Sequence, residues 1–366
     1  EKEIVFLPIE ILNEILDAKT LFNEEENMVE IREEMPLEYT EAFSIKYLKG
    51  GLKKVVDGDN RTLILVPEGK DVPEKYKGEI IINTPIKNVL IASITQACLL
   101  RPIDELDSIN SITSEKDQIT IEEIRNRMDT GETKFVGDSY APDYELIYSL
   151  KPEIAFVYSG PYGQQDMMAK FDELEIPYAV DNEYLEEDPF GRMEWIKFLG
   201  AFYNKEDMAE EYFNESVKKV EKTMEEIKDL EKPKVVWGNV WDGKTYVATP
   251  DSYVGKMIEM AGGDYVFKDS AMESGEINFE EFYDKGKDGD VYIWSGLISY
   301  NPNLESILEP NPGLEDFKAI KEGNTWAFDV DYWQSIDKTA DVINSLIAIF
   351  YPEQFDQSEI KHFVKY

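Results

Sequence analysis

Residues 204–229 read NKEDMAEEYFNESVKKVEKTMEEIKD. Apolar side chains recur there at helical spacing: Met208, Tyr212, Phe213, Val217, Val220, Met224 and Ile227. The opposite face carries Glu210, Glu211, Lys218, Lys219, Glu221, Glu225, Glu226 and Lys228. This pattern predicts an amphipathic helix. Asn204 is placed to cap it, Asp207 to bond back, and Pro233 to stop it. About 25 residues at about 1.5 Å rise make a rod of roughly 38 Å. A shorter lead-in helix is expected over residues 191–199 (GRMEWIKFL). Taken alone, such a helix fits an ordinary crossover within one domain. The two flanks decide otherwise, because each alternates buried strands with helices. The chain therefore reads as two α/β lobes with mostly parallel sheets, joined by a single long bridging helix.

Length and charge set the outer limits. A chain of 366 residues is comfortable for two cores, and 42% hydrophobic residues suit packed domains. No apolar run is long enough to span a bilayer; residues 89–100 contain Ser93, Thr95 and Gln96. Residues 1–3 (EKE) lack the start of a leader peptide, so the chain is expected to be cytoplasmic or a mature, processed form. Acidic residues number 76 against 38 basic ones, a net charge of −38. Nucleic acid is therefore excluded as a partner, and an anionic membrane surface is disfavoured. The single cysteine, Cys98, permits no internal disulfide. With one histidine, His362, zinc sites of the His/Cys type are excluded. So is a Ser-His-Asp triad, unless His362 folds back from the tail.

In chain order, residues 4–19 suggest a helix followed by an acidic stretch. Residues 39–67 suggest short strands, with an Asp-Gly hairpin turn at 57–60. This is an N-terminal β extension. The first lobe has expected strands at 89–93, 108–113, 153–159 and 176–181, with helices at 95–100, 119–128, 143–150 and 166–174. The second has expected strands at 234–240, 290–295 and 325–329, with helices at 253–261, 280–285, 314–320 and 339–350. The divisions expected are 1–79 (helix and β extension), 80–190, 191–233 (bridge) and 234–366.

Ligands of open α/β sheets bind beyond the carboxyl ends of the strands. In the first lobe that rule selects Ser93, Thr95 and Gln96; Asp138, Ser139 and Tyr140; Tyr158, Ser159, Gly160 and Tyr162; and Asn182, Glu183 and Tyr184. In the second it selects Asn239, Trp241 and Tyr246; Trp294, Ser295 and Gly296; and Asp331, Tyr332 and Trp333. Aromatic faces with polar edges suit a large planar or chelate ligand. No pair resembles a nucleophile with its base, so no catalytic residue, resident cofactor or protein-bound metal is expected. Loops at 242–250 and 300–311 are the expected movers.

The ordered segments VLIASITQ, IDELDSI, VGDSYAPDYELIYSLKPEIAFVYSG, DELEIPYAVD, DPFGRMEWIKFLGAFYNKEDMAEEYF and KPKVVWGNV carry a resemblance. So do YVGKMIEMAGGDYVFKD, INFEEFYDKGKDGDVYIWSG and FDVDYWQSIDKTADVINSLIAIFYPEQF. Over about residues 80–352 the chain resembles the helix-bridged periplasmic substrate-binding proteins of ABC importers, which carry ferric siderophores, haem and vitamin B12. The resemblance implies a protein held outside the cytoplasm by an N-terminal lipid or segment absent from this chain. It implies a monomer whose lobes clamp a metal chelate with little hinge motion and deliver it to an ABC permease and its ATPase subunits. It also implies one docking glutamate per lobe, Glu145 and Glu280, with Glu281 a close rival. Tryptophans that flank a corrinoid in the family align near Ser139 and Ser274, beside Tyr140 and Met272. Arg101 and Arg192 are the few arginines available for an anionic chelate, and the charge favours a neutral or cationic ligand. Two alternatives remain. A metal-cluster protein on a related scaffold needs cysteines that Cys98 alone does not supply. A direct binder of a metal ion or oxyanion in the same fold is the other; with only His362 available, a metal ion would have to use an all-oxygen site.

Overall fold

The structure, a computed structural model, describes residues 9–23, 27–270 and 275–366. The long helix runs Glu206–Ile227. Phe213, Val217, Val220 and Ile227 are buried along one stripe, while Lys218, Lys219, Glu221 and Glu225 are exposed. Its start differs from the expected cap. The lead-in helix is longer than 191–199 and occupies Pro189–Tyr203. Asn204 then takes a left-handed conformation, φ 56°, and separates the two helices. Asparagine tolerates this region better than most residues. Its side-chain oxygen accepts from Lys53 Nζ at 2.9 Å, and Asp207 pairs with Lys19 Nζ at 2.6 Å. Neither is left to form a capping box.

The chain divides into two compact units: Glu1–Leu185 with Glu194–Tyr212, and Glu186–Met193 with Phe213–Tyr366. The long helix begins in the first and ends in the second. Both units are α/β with parallel strands at the centre of the main sheet, as the alternation of strands and helices requires.

Unit one holds a five-stranded sheet in the order Tyr178–Val180, Ile154–Val157, Val89–Ile91, Ile109–Ile112, Lys134–Phe135. Every pairing in it is parallel. Its central strands are buried runs rich in β-branched residues, as a sheet covered on both faces demands. The edge strand Lys134–Phe135 was not foreseen; it is two residues long and exposed. Helices Ile94–Leu100, Glu122–Thr130, Tyr144–Leu150 and Gln165–Leu174 lie between the strands in sequence.

The extension forms a separate four-stranded sheet: Ser44–Tyr47, Lys53–Val56, Thr62–Pro67 and Ile80–Thr84. The last strand runs parallel to the third and was not foreseen as part of the extension. Ahead of it, helix Ile9–Ile15 ends short of the expected residue 19, and a hairpin, Lys19–Asn23 with Met28–Arg32, follows where only an acidic stretch was expected. Residues 4–8 of that expected helix lie outside the described residues. The buried Glu194 carboxylate ties the extension down. It accepts from the backbone N–H groups of Glu38 (3.0 Å), Tyr39 (2.8 Å) and Thr40 (3.1 Å), and from Lys197 Nζ (2.8 Å).

Unit two is built on parallel strands Lys234–Trp241, Val291–Leu297 and Thr325–Phe328. Three antiparallel additions were not foreseen, one of them the short strand Glu276–Ile277 beside Lys244–Val247. Lys244–Val247 forms a hairpin with the first strand through Asp242 (φ 51°) and Gly243 (φ 74°), the positive pair that a two-residue turn requires. The expected loop at 242–250 is thus largely a hairpin. The tail folds back as strand Phe363–Lys365 against Thr325–Phe328. The expected helix at 314–320 is instead a 3-10 turn, Pro312–Asp316, and one helical turn, Lys318–Lys321. Helices Tyr253–Met260, Phe279–Gly286 and Thr339–Phe350 follow the sequence pattern closely.

Candidate functional site

On unit one, the strand ends gather several of the expected residues. Ser93 caps helix Ile94–Leu100, its Oγ 2.7 Å from Thr95 Oγ1. Gln96 is buried and accepts from the Ala92 and Ser93 backbone N–H groups at 3.0 and 3.1 Å. Its polar end is thereby consumed inside the protein. Gln164, also buried, joins two strand ends: it donates to Ala92 O (2.9 Å) and accepts from Tyr158 N (3.2 Å). Tyr158 hydrogen-bonds Ser139 and meets the Tyr184 ring edge-on, centroids 5.4 Å apart. Burial pushes the Tyr158 phenol above its ordinary pKa. Ser159 is buried; its N–H donates to Asn182 Oδ1 at 2.8 Å, and its carbonyl accepts from the Tyr184 hydroxyl. Gly160 (φ 91°) turns the chain here, where a side chain would strike that hydroxyl. Outside this bonded shell, Tyr140 and Tyr162 are 84% and 76% exposed.

An unforeseen neighbour stands among them. The extension's turn at 57–60 packs on the end of strand Tyr178–Val180. Gly58 N donates to Val180 O (2.9 Å), Val180 N to the Asp57 carboxylate (3.1 Å), and Asn182 Nδ2 to Gly58 O (3.2 Å). Asp57 is fully buried and also accepts from the N–H groups of Asp59 (3.1 Å) and Arg61 (2.9 Å). Burial pushes its carboxyl above the ordinary value, and those N–H bonds pull it partly back. Ser159 Oγ donates to the Asp59 carboxylate. The Asp-Gly pair was the signal in the sequence, and it was read only as a hairpin.

On unit two, Asn239 Nδ2 donates to Ser295 O (2.9 Å) and lies 3.0 Å from Ser295 Oγ, linking neighbouring strand ends. The register slips between Trp294 and Leu297, at Ser295 and Gly296. Trp294 is buried and donates to Asn301 at 3.2 Å. Tyr246 lies opposite Asn239 across the hairpin and is exposed, and Trp241 at the hairpin's tip is 67% exposed. Tyr332 is buried, stacked on Phe328 at 3.8 Å, with its hydroxyl unpartnered. Trp333 stands edge-on to Phe328 and is 50% exposed. His362 does fold back: Nδ1 lies 3.0 Å from Asp331 Oδ1, and that contact holds the Asp331 carboxyl below its ordinary pKa. Nε2 is buried with no partner, so no hydroxyl is set on the far side of the ring as a triad would need.

Two glutamates occupy matching places. Glu145 is the second residue of helix Tyr144–Leu150, capped by Asp143, and Glu280 the second of Phe279–Gly286, capped by Asn278. Both are exposed. Glu281 is instead engaged by Lys285 (3.0 Å) and Ser270 (3.1 Å). Arg192 lies 4.5 Å over the Tyr253 ring. Met272 and Ser274 lie outside the described residues. Among the described residues, no group of three or more His, Cys, Asp or Glu side chains is arranged to hold a metal ion, and no helix is long and apolar enough to cross a membrane.

These features fit a binding protein of the helix-bridged type, and comparison with known proteins agrees. The sequence pattern of the periplasmic binding protein family matches residues 110–331. The chain belongs to that family, whose members bind small molecules and deliver them to ABC permeases. It is similar to an uncharacterized lipoprotein of Methanocaldococcus jannaschii, 34% identical over 86% of this chain and 78% of that protein. In fold it is similar to an ABC transporter solute binding protein from Sulfurospirillum deleyianum, with TM-score 0.59 and 16% identity over 84% of this chain and 91% of that one. It is likewise similar to Staphylococcus aureus IsdE complexed with heme, with TM-score 0.53 and 19% identity over 72% of this chain and 98% of that one.

Proposed function

We propose that this protein captures a metal chelate, such as a ferric siderophore, a corrinoid or a haem-like ligand, and hands it to an ABC permease. The observation that carries the reading is the aromatic character of the strand-end loops: Tyr140 and Tyr162 in unit one, Trp241 and Trp333 in unit two, each at least half exposed. Exposed rings over a hydrogen-bonded polar shell suit a broad, partly apolar ligand. Ligand contacts are assigned to Ser93, Thr95, Ser139, Tyr140, Tyr158, Ser159, Tyr162, Asn239, Trp241, Tyr246, Ser295, Asp331 and Trp333. Gln96, Trp294 and Tyr332 support them from beneath. The protein acts as a binder rather than an enzyme, as a monomer outside the cytoplasm, tethered by a lipid or segment ahead of this chain; the relative's designation as a lipoprotein supports the tether. Its working parts are the extension (1–79), two lobes (80–190 and 234–366) and the bridge (191–233).

Glu145 and Glu280 are assigned to permease docking. Two exposed carboxylates in matching helical first turns are free to meet arginines. The test is titration of purified protein with haemin, cyanocobalamin and ferric siderophores, followed by tryptophan fluorescence. Saturable quenching by one of them is expected; no response to any would overturn the reading. Reversing both glutamates to lysine is expected to abolish stimulation of the transporter's ATPase and leave that quenching intact. Equal damage to binding would remove the docking assignment.

A further inference from the structure

We propose that the N-terminal extension supplies a specificity-determining residue to the ligand face of unit one: Asp59, whose carboxylate selects against anionic chelates. This rests on the chelate-binding reading above. The extension lies outside the residues matched by the family pattern, 110–331, yet its turn at 57–60 is built into the strand ends. Three backbone and side-chain hydrogen bonds hold it, from Gly58 N, Val180 N and Asn182 Nδ2. Gly58 approaches so closely that a Cβ there would lie 2.8 Å from Asn182 Nδ2. Such an approach fixes the next residue, Asp59, in place. Its carboxylate accepts from Ser159 Oγ, within the cluster that also holds Tyr158, Tyr184 and Asn182.

Asp59 is exposed, so its remaining acceptor sites are open to a ligand. The nearest cation in sequence does not neutralise it. Arg61 is spent on the Tyr178 ring, 3.6 Å away, and on Asp57, 3.7 Å away. A carboxylate held by a fixed turn favours ammonium, amide or hydroxyl donors of a ligand and repels ligand carboxylates and catecholates.

The experiment uses three ferric chelates of similar size: a cationic trihydroxamate, a neutral trihydroxamate and a trianionic tris-catecholate. Each is titrated by fluorescence into the unaltered protein, Asp59→Asn, Asp59→Ala and a control, Glu226→Gln, on the exposed face of the bridging helix. Asparagine keeps an acceptor for Ser159, and alanine removes it. Thermal melting confirms that each variant is folded. Both Asp59 variants are expected to gain about fivefold in affinity for the trianionic chelate and lose about fivefold for the cationic one, with the neutral chelate changed less than about twofold. The control is expected to match the unaltered protein. An unchanged charge preference, or a uniform loss for all three chelates, overturns the inference and leaves the chelate reading standing. No binding of any of the three by the unaltered protein overturns the inference, and a failure of haemin and cyanocobalamin as well overturns the chelate reading with it.

Discussion

Two of the chain's three Asp-Gly pairs sit in hairpin turns; they look alike in sequence and serve opposite ends. At 57–58 the aspartate is fully buried, and its carboxylate gathers three backbone N–H groups. The glycine is pressed against Asn182. At 242–243 both residues are exposed, and a side chain on Gly243 would meet nothing within 4 Å. The first turn is a weld between the extension and a strand end. The second is a free tip that presents Trp241. Local chemistry specifies that the chain turns; what packs on the turn decides whether it braces a site or displays a residue.

The largest expected effect tests the weld. Asp57→Ala strands three N–H groups, one of them on a core strand, and should cost about 3 kcal/mol in denaturant unfolding. Asp242→Ala, at the free tip, should cost less than about 0.5 kcal/mol. Equal costs at the two positions would erase the distinction.

Next in size is the effect of what the free tip displays. Replacing Trp241 and Trp333 together by alanine should weaken chelate binding by roughly 2 kcal/mol or more, because exposed aromatic anchors dominate such contacts. Stability should change little, since both rings are at least half exposed. A loss of stability with unchanged affinity would mean that these rings serve packing.

Much of this was legible in advance, and the gaps share a cause. Helix Thr339–Phe350 and strands Ile154–Val157 and Thr325–Phe328 were read within a few residues, because each carries its own apolar pattern. The hairpin at Lys244–Val247 and the tail strand Phe363–Lys365 were not, being short and stabilised mainly by the strands they join. Asn204 looked like a cap because capping and left-handed turns favour the same residue. Among site candidates, the rule about strand ends selected Ser159, Tyr158 and Asn239, and the structure does place them at strand ends. It had no means of showing that Gln96 and Tyr332 turn inward, because side-chain partners are set by tertiary contacts. It missed Asp59 altogether, since nothing in the sequence shows a turn from one sheet reaching the end of another.

The smallest expected effect concerns the brace on unit two, where the tail takes the place that the extension has on unit one. His362 Nδ1 holds Asp331 at 3.0 Å, and the contact depresses the Asp331 pKa, with the Lys338 charge helping. A carboxyl lowered in the folded state adds stability above its unfolded pKa of about 3.9 and loses it as pH falls through the folded value. Asp331→Asn should therefore be less stable than the unaltered protein by about 1 kcal/mol near pH 5, a modest figure for a half-buried, charge-assisted contact. The gap should close as the pH is lowered from 5 towards 2, where the unaltered carboxyl protonates in both states. Urea midpoints across that range provide the measurement. A gap that stays constant would mean that the contact is structural but not ionic, and one that widens on acidification would reverse the assigned sign. Either result would leave the tail strand, through Phe363 packed on Phe328 and Tyr332, as the true brace of this face.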